Sequence, residues 1–160
     1  MPPWMGTPQQ SNLISVDIPS GVTSIGERAF WLCNSLTSAN ISSSVTSIGK
    51  EAFSNCSSLT SITIPSSVTS ISDGTFASCT SLTSVTIPNS VTSIGNSAFS
   101  SIPILTSVTV ESTTPPTIGT NIFSIYAGST LVIYVPAESV EAYKTATNWS
   151  TYASRIQAIP

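Results

Sequence analysis

Histidine is absent from this chain, and only 7% of its 160 residues are Asp, Glu, Lys or Arg. An average soluble domain carries about 25% charged residues. The lack of histidine excludes Ser-His-Asp and Cys-His catalysis and removes the commonest metal ligand. We therefore predict a protein that is not an enzyme and that uses neither a cofactor nor a metal ion.

Basic residues are also scarce, because four Lys and Arg stand against seven Asp and Glu, giving a net charge of −3. The chain has no basic stripe that could neutralise phosphates, so nucleic acid is not expected as a partner. It has no apolar run of about 18 residues, so membrane insertion is not expected either. The start, MPPWMGTPQQ, lacks the features of a signal peptide. We expect any export signal to lie outside this chain.

Serine and threonine are abundant, at roughly a third of all residues, and they occur in a repeat. A period of 23 residues aligns columns of leucine, valine, isoleucine, phenylalanine and cysteine. The leucine column is Leu13, Leu36, Leu59, Leu82 and Leu105, and the phenylalanine column is Phe30, Phe53, Phe76 and Phe99. Self-similarity at this period is typical of a solenoid, in which each turn buries its apolar face against its neighbours. Phe53 is predicted to be fully buried.

Each copy contains a segment with the alternation of a β-strand. In LTSITIP, Leu59 to Pro65, Ile62 and Ile64 face one side while Ser61 and Thr63 face the other. Proline then ends the strand, because it cannot donate to the ladder. SVTSIG predicts a second short extended piece, in which glycine permits a turn. AFSNC predicts a single helical or 3-10 turn on the outer side.

The motifs L-x-x-I-x-I-P, V-x-x-I-G and A-F-x-x-C-x-x-L, repeated from Leu13 to Leu105, resemble those of the BspA-like leucine-rich repeats. The resemblance implies a right-handed leucine-rich-repeat horseshoe, mainly parallel β, with a concave sheet, short outer strands and helical or 3-10 turns. It also implies an extracellular or cell-surface location and a role in adhesion. The segment 131–160 is similar to the closing segment of such proteins.

The organisation predicted is a single domain in three parts. Residues 1–12 form an N-terminal cap or a linker, 13–105 form four repeats, and 106–160 form an altered last turn and a C-terminal cap with short helices. In the altered copy, TTPPTIGTNIF, the pattern runs one residue late. We expect the cap to contain a last strand, a short helix and a set of side chains that cover the open core. These residues are Ile133 and Val135 for the strand, Val140 and Tyr143 for the helix, and Trp149, Tyr152 and Ile156 for the cover.

Binding, if the chain binds a partner, is expected on the outward positions of the concave strands. The candidate residues are Asp17, Asn40, Thr63, Thr86 and Thr109. Such a face suits a glycan or a host or cell-surface protein. Trp31 on the outer side is a competing site, unless it packs against Trp4. The alternative function is a structural spacer or stalk segment of a larger surface protein or phage fibre.

Two other groups of residues allow more than one interpretation. Glu27 and Glu51 could act as an acid and base pair on a sugar. The favoured interpretation is a charged surface column, in which Glu27, Lys50 and Asp73 alternate in sign and Arg28 lies above Glu51.

Cys33, Cys56 and Cys79 share one column. Buried reduced thiols are favoured over an adjacent disulfide or a metal site, because parallel side chains are badly aimed for bonding and no CxxC spacing is present.

Overall fold

The computed structural model describes residues 12–124 and 128–160 of the chain. These residues form a solenoid with two sets of parallel strands. The long strands are β1 (Ser15–Ile18), β3 (Ser38–Ile41), β6 (Ser84–Ile87), β8 (Ser107–Val110) and β10 (Val132–Val135). The short strands are β2 (Ser24–Ile25), β4 (Ser47–Ile48), β5 (Ser70–Ile71), β7 (Ser93–Ile94) and β9 (Thr117–Ile118). The predicted fold class, a repeat solenoid of parallel strands, is confirmed.

The long strands follow the predicted alternation. In β6, Val85 and Ile87 are buried, while Ser84 and Thr86 are exposed. Ser84 pairs with Ser107, which lies 23 residues later, so neighbouring strands are in register. Equivalent side chains therefore stack in columns across the repeats, with the apolar columns inside. We call the outward surface of the long strands the long-strand face.

Aromatic rings form the most regular column of the core. Phe30, Phe53, Phe76, Phe99 and Phe123 are stacked, with centroids 5.0 to 5.8 Å apart. Phe53 has no exposed area, as predicted. Phe30, at one end of the column, is only half-buried. The spacing is that of offset stacking, in which a ring contacts both neighbours.

The outer segments are β-turns, and not the predicted helical or 3-10 turn. In the first repeat the Ala29 amide donates to Gly26 and the Cys33 amide donates to Phe30. The third residues of these two turns, Arg28 and Leu32, have φ of 56° and 61°. A positive φ at the third position defines a type II turn and interrupts a helix. Every second amide of the segment donates to the next repeat instead. The Phe30 amide, for example, donates to the carbonyl oxygen of Ala52 at 2.7 Å.

A turn begins at the glycine of the V-x-x-I-G motif, as predicted, but at Gly49 and Gly95 the glycine is needed for close packing between repeats and not for a positive φ. Neither Gly49 nor Gly95 is among the glycines with positive φ. A Cβ atom on Gly95 would lie 2.4 Å from the Asp73 amide nitrogen, and one on Gly49 would lie 2.6 Å from that of Glu27. The backbones of successive repeats approach too closely at this corner for a side chain.

We expect Gly95→Ala to lower the free energy of unfolding by about 1 to 3 kcal/mol, because the added methyl group overpacks this corner. Gly26→Ala is the matched control, since a Cβ there meets nothing within 4 Å. It should be neutral or slightly stabilising, by up to about 1 kcal/mol. Urea denaturation followed by circular dichroism measures both. Equal effects of the two substitutions would contradict the close approach at Gly95.

The third repeat departs from the regular pattern. The strand predicted from Ser61 to Ile64 is reduced to a single bridge between Thr63 and Thr86. The long strands therefore form two separate sheets: a two-stranded sheet of β1 and β3, and a four-stranded sheet that contains β6, β8 and β10. The short strands stay continuous, but β4 and β5 share only the pair Ile48 and Ile71. Ser72 occupies the glycine column in this repeat. Its hydroxyl donates to the carbonyl oxygen of Ile48 at 2.8 Å, whereas Gly49 and Gly95 donate from their backbone amides to the equivalent isoleucines of the preceding repeats.

The C-terminal cap closes the solenoid with α1 (Val140–Thr145) and with 3-10 segments at Ala137–Ser139 and Trp149–Arg155. A further strand, β11 (Ile156–Ala158), pairs in parallel with β10. The strand of Ile133 and Val135, which was predicted to be the last, is therefore followed by another. The predicted covering side chains, Trp149, Tyr152 and Ile156, are buried, as predicted. Among the described helices, none is long and apolar enough to cross a membrane. Residues 1–11, which include Trp4, lie outside the described part of the chain.

Candidate functional site

The predicted binding residues lie in one column on the long-strand face. Asp17 pairs with Asn40, Thr63 bridges to Thr86, and Thr86 pairs with Thr109. Four of the five are exposed and Thr109 is half-buried. Parallel strands place paired side chains about 4.7 to 4.9 Å apart. A partner could therefore meet a carboxylate next to an amide, and farther along the column a row of hydroxyls.

The same column continues into the cap with two residues that the sequence reasoning missed. Thr109 pairs with Tyr134 of β10, and Tyr134 pairs with Gln157 of β11. Tyr134 is half-buried and Gln157 is exposed. A signal for Tyr134 was available, because Ile133 and Val135 were predicted to lie in a strand, and in a strand the residue between two apolar ones faces the opposite side. No sequence signal for Gln157 was comparable, because its strand was not predicted.

Tyr134 changes the character of the long-strand face. None of the five residues predicted from the sequence for this face is aromatic. Tyrosine offers a flat apolar ring and a hydroxyl that both donates and accepts hydrogen bonds. Residues of this kind are enriched among those that dominate binding energy at interfaces. The candidate site therefore has an anchor at its cap end and its strongest polar groups, Asp17 and Asn40, at the other end.

The column is interrupted between Asn40 and Thr63. Asn40 lies in the two-stranded sheet, and no strand pair in the described part of the chain connects that sheet to Thr63. The long-strand face is thus divided into a part with Asp17 and Asn40 and a part that runs from Thr63 to Gln157. A ligand that needs a continuous strand ladder would meet only one of the two parts.

Trp31, the competing outer site, is half-buried. The guanidinium carbon of Arg28 lies 5.8 Å from the centroid of the Trp31 ring, within the range of a cation–π contact. Leu32 beside it is exposed. The indole ring is therefore already engaged on one side by its own chain.

Arg28 also contacts Glu51, as the sequence predicted. Its Nε donates to Glu51 Oε2 at 2.5 Å, and this hydrogen bond and the charge of Glu51 raise the pKa of Arg28. Glu51 is thus held by a neighbouring cation, which does not favour the acid and base pair with Glu27. Lys50 and Asp73 make no ion pair within the described residues. Asp73 instead accepts hydrogen bonds from the amide and the side chain of Asn96.

The three cysteines are buried and free of disulfides. The thiols of Cys56 and Cys79 donate to the carbonyl oxygens of Phe30 and Phe53 at 3.1 and 3.2 Å. Burial raises the pKa of all three thiols, that of Cys79 to about 12. They therefore lie in the apolar core as small neutral side chains, as the favoured interpretation predicted. In the described part of the chain, no three His, Cys, Asp or Glu residues are grouped to hold a metal ion.

We expect none of the three thiols to react rapidly with DTNB in the native protein at pH 8, because each is buried and stays protonated. All three should react after unfolding in urea. Their pKa values are raised in the folded state, so their contribution to stability is complete below the unfolded pKa of about 9 and is lost as the pH rises above it. A fast-reacting thiol in the native protein would contradict this burial.

Comparisons with known proteins agree with the repeat architecture. The family model of the BspA type leucine rich repeat region matches residues 8–127, in six copies. The crystal structure of a leucine-rich repeat protein from Bacteroides ovatus is similar, with 27% identity and a TM-score of 0.64. That match covers 94% of this chain and 31% of the other, so this chain spans about a third of that protein.

Two further solved structures are similar. The T. pallidum leucine rich repeat protein has 26% identity and a TM-score of 0.71, over 91% of this chain and 68% of the other. The pneumococcal vaccine antigen PcpA has 18% identity and a TM-score of 0.66, over 95% of this chain and 41% of that one, and it supports the fold alone. No curated protein matches the chain significantly. Since the family model matches three quarters of its residues, the chain belongs to the BspA type leucine-rich repeat family.

Proposed function

We propose that this chain is a non-enzymatic recognition module that binds a glycan or a cell-surface protein through its long-strand face. We place it outside the cell or on a cell surface. The observation that carries the proposal is the column of outward polar side chains in its two in-register parts, Asp17 with Asn40, and Thr63 through to Gln157. Solenoids commonly bind partners along such a strand face.

The chemistry of the column supports adhesion more than catalysis. The hydroxyls of Thr63 and Thr86 make no hydrogen bond to any described residue, so they are available to a partner. Asp17 and Asn40 add an acceptor with charge and an amide that donates and accepts. Tyr134 supplies the apolar contact area that hydroxyls lack. None of these groups lies beside a nucleophile and a base arranged for proton transfer.

The test is binding of the protein to immobilised glycans and extracellular matrix proteins, with variants of both candidate surfaces. We expect Tyr134→Ala to weaken binding by about tenfold or more, as is typical for an aromatic anchor. Asp17→Ala and Asn40→Ala should weaken it less if the ligand contacts only the cap end. Trp31→Ser on the outer side should leave the affinity unchanged.

Circular dichroism of each variant controls for folding. Loss of affinity in Trp31→Ser alone, with the fold intact, would contradict the assignment to the long-strand face and move the site to the outer surface. Absence of binding at about millimolar concentration would contradict recognition altogether.

That last outcome would favour the second candidate function, a structural spacer or stalk segment of a larger surface protein or phage fibre. A specific observation supports it, since the phenylalanine rings stack at an even 5.0 to 5.8 Å along the repeats. The stacked phenylalanine column would suit a rod that holds another module at a distance.

A further inference from the structure

A cleft of roughly 310 Å³ opens on the long-strand face where the third repeat loses its regular pairing. It lies at the carboxyl end of the long strands and draws residues from three successive repeats. Its polar lining is Thr63, Ser66, Thr86 and Glu111, and its apolar lining includes Ile62 and Pro88. Thr63 and Thr86 belong to the candidate column, so the cleft is part of the same face.

Glu111 gives the cleft its only charge. It occupies the column of Pro65 and Pro88, the residues that end the strands of the two preceding repeats. Unlike those prolines it has an amide, which donates to Ile87 at 3.0 Å, and its backbone therefore stays in the ladder. Its side chain is exposed and receives no hydrogen bond from any described residue.

The lining selects a neutral ligand rich in hydroxyls. A carboxylate accepts two hydroxyl donors at once, and threonine or serine hydroxyls can donate or accept in return. Ile62 and Pro88, which are both buried apart from a small area, line the base of the cleft, where the C–H face of a ring could contact them. No lining residue is basic, and Glu111 would repel an anion. A single exposed carboxylate contributes little to the binding of a lone cation.

The size of the cleft also limits the ligand. Roughly 310 Å³ is at the lower end of the range for small-molecule sites and admits one sugar ring, but no extended peptide. We propose that this cleft binds a terminal neutral hexose of a glycan, with Glu111 accepting hydrogen bonds from two ring hydroxyls. This proposal rests on the proposed function, because it names the ligand class for the part of the long-strand face around Thr63 and Thr86.

The experiment is a titration of the ¹⁵N-labelled chain, followed by amide chemical shifts, with neutral, anionic and cationic probes. The probes are methyl glycosides of glucose, galactose and mannose, N-acetylneuraminic acid, and n-butylammonium. We expect at least one methyl hexoside to shift the amides of Thr63, Thr86 and Glu111, with a Kd of about 1 mM, as ordinary ligand efficiency gives for one ring. The anion and the cation should not shift these amides.

Glu111→Gln should weaken hexoside binding about tenfold, because it removes a charged acceptor of hydrogen bonds but keeps the shape. Thr63→Val should weaken it by a factor of about five. Glu138→Gln is the matched control, since Glu138 is an exposed carboxylate in the cap, and it should leave the Kd unchanged. The amide spectra of the variants report whether each one is folded.

Three results would overturn the hexose site. These are stronger shifts with N-acetylneuraminic acid than with any hexoside, shifts with butylammonium alone, and equal hexoside affinity in wild type and Glu111→Gln. If a larger glycan or a protein still binds the face in a manner sensitive to Tyr134→Ala, the proposed function stands and only the cleft assignment is wrong. If nothing binds anywhere, both are wrong.

Discussion

Phe53→Ala should lower the free energy of unfolding by about 3 to 5 kcal/mol, which is enough to unfold a marginally stable domain. The ring has no exposed area and stacks on Phe30 and Phe76 at 5.0 and 5.6 Å. Removal of it leaves a cavity in the middle of the column and ends two ring contacts. The neighbouring repeats cannot close this cavity, because their spacing is fixed by the hydrogen bonds that the Phe30 and Phe53 amides donate to Ala52 and Thr75.

Phe30→Ala is the matched control, because it makes the same change in the same column at a half-buried position. Its ring contacts only one neighbour in the phenylalanine column. We expect it to cost about half as much as Phe53→Ala. Urea denaturation followed by circular dichroism measures both values. A loss of unfolding free energy below about 1 kcal/mol for Phe53→Ala would mean that the phenylalanine column contributes little to the stability of the core.

The repeat made most of this core predictable. A fixed period of 23 residues determines which side chains share a column, and alternation within LTSITIP determines which columns face inward. Both are local properties of the sequence. The burial of Phe53 follows from the repeat, whereas that of Trp149 and Tyr152 was expected because the pattern breaks after Leu105 and the open core needs a cover. The family resemblance added the architecture that joins the columns into a solenoid.

The turns were not predictable in the same way. AFSNC, at residues 52–56, has the composition of a short helix. In the equivalent segment of the first repeat, however, the backbone at Arg28 and Leu32 has positive φ. Asn55 and Gly74, residues that tolerate this conformation, stand in the same two columns and were the available signal. The turn is more stable here than a helix because it directs every second backbone amide toward a carbonyl oxygen of the next repeat. That benefit exists only when another repeat is stacked beside it.

The interruption at the third repeat depends on the fit between repeats. Ser61 to Ile64 alternates just as Ser84 to Ile87 does, yet only the second segment forms a strand. The third repeat also differs at its corner, where Ser72 replaces glycine and its hydroxyl donates to the carbonyl oxygen of Ile48. The cleft that Glu111 lines lies beside this interrupted strand. The candidate column was therefore predictable from alternation, whereas its most distinctive cavity was not.

Trp149→Ala should be as damaging as Phe53→Ala, with a loss of about 3 to 5 kcal/mol, because it opens the C-terminal end of the core. The indole is fully buried and meets the Tyr143 ring edge-on, with centroids 5.0 Å apart. Its Nε1 donates to the carbonyl oxygen of Pro116 at 2.8 Å. Alanine removes the ring and leaves that carbonyl, on a buried residue, without its donor.

Trp31→Ala is the matched control, because Trp31 is half-buried and its ring contact is with Arg28 at the surface. A surface cation–π contact is worth about 0.5 to 1 kcal/mol, so we expect a loss of about that size. Urea denaturation gives the two losses, and hydrogen exchange locates them. In Trp149→Ala the amides of β8 and β10 should exchange faster, since the cap no longer covers them, while those of β1 and β3 should change less. Equal losses for the two tryptophans, or uniform exchange along the solenoid, would show that Trp149 does not close the core.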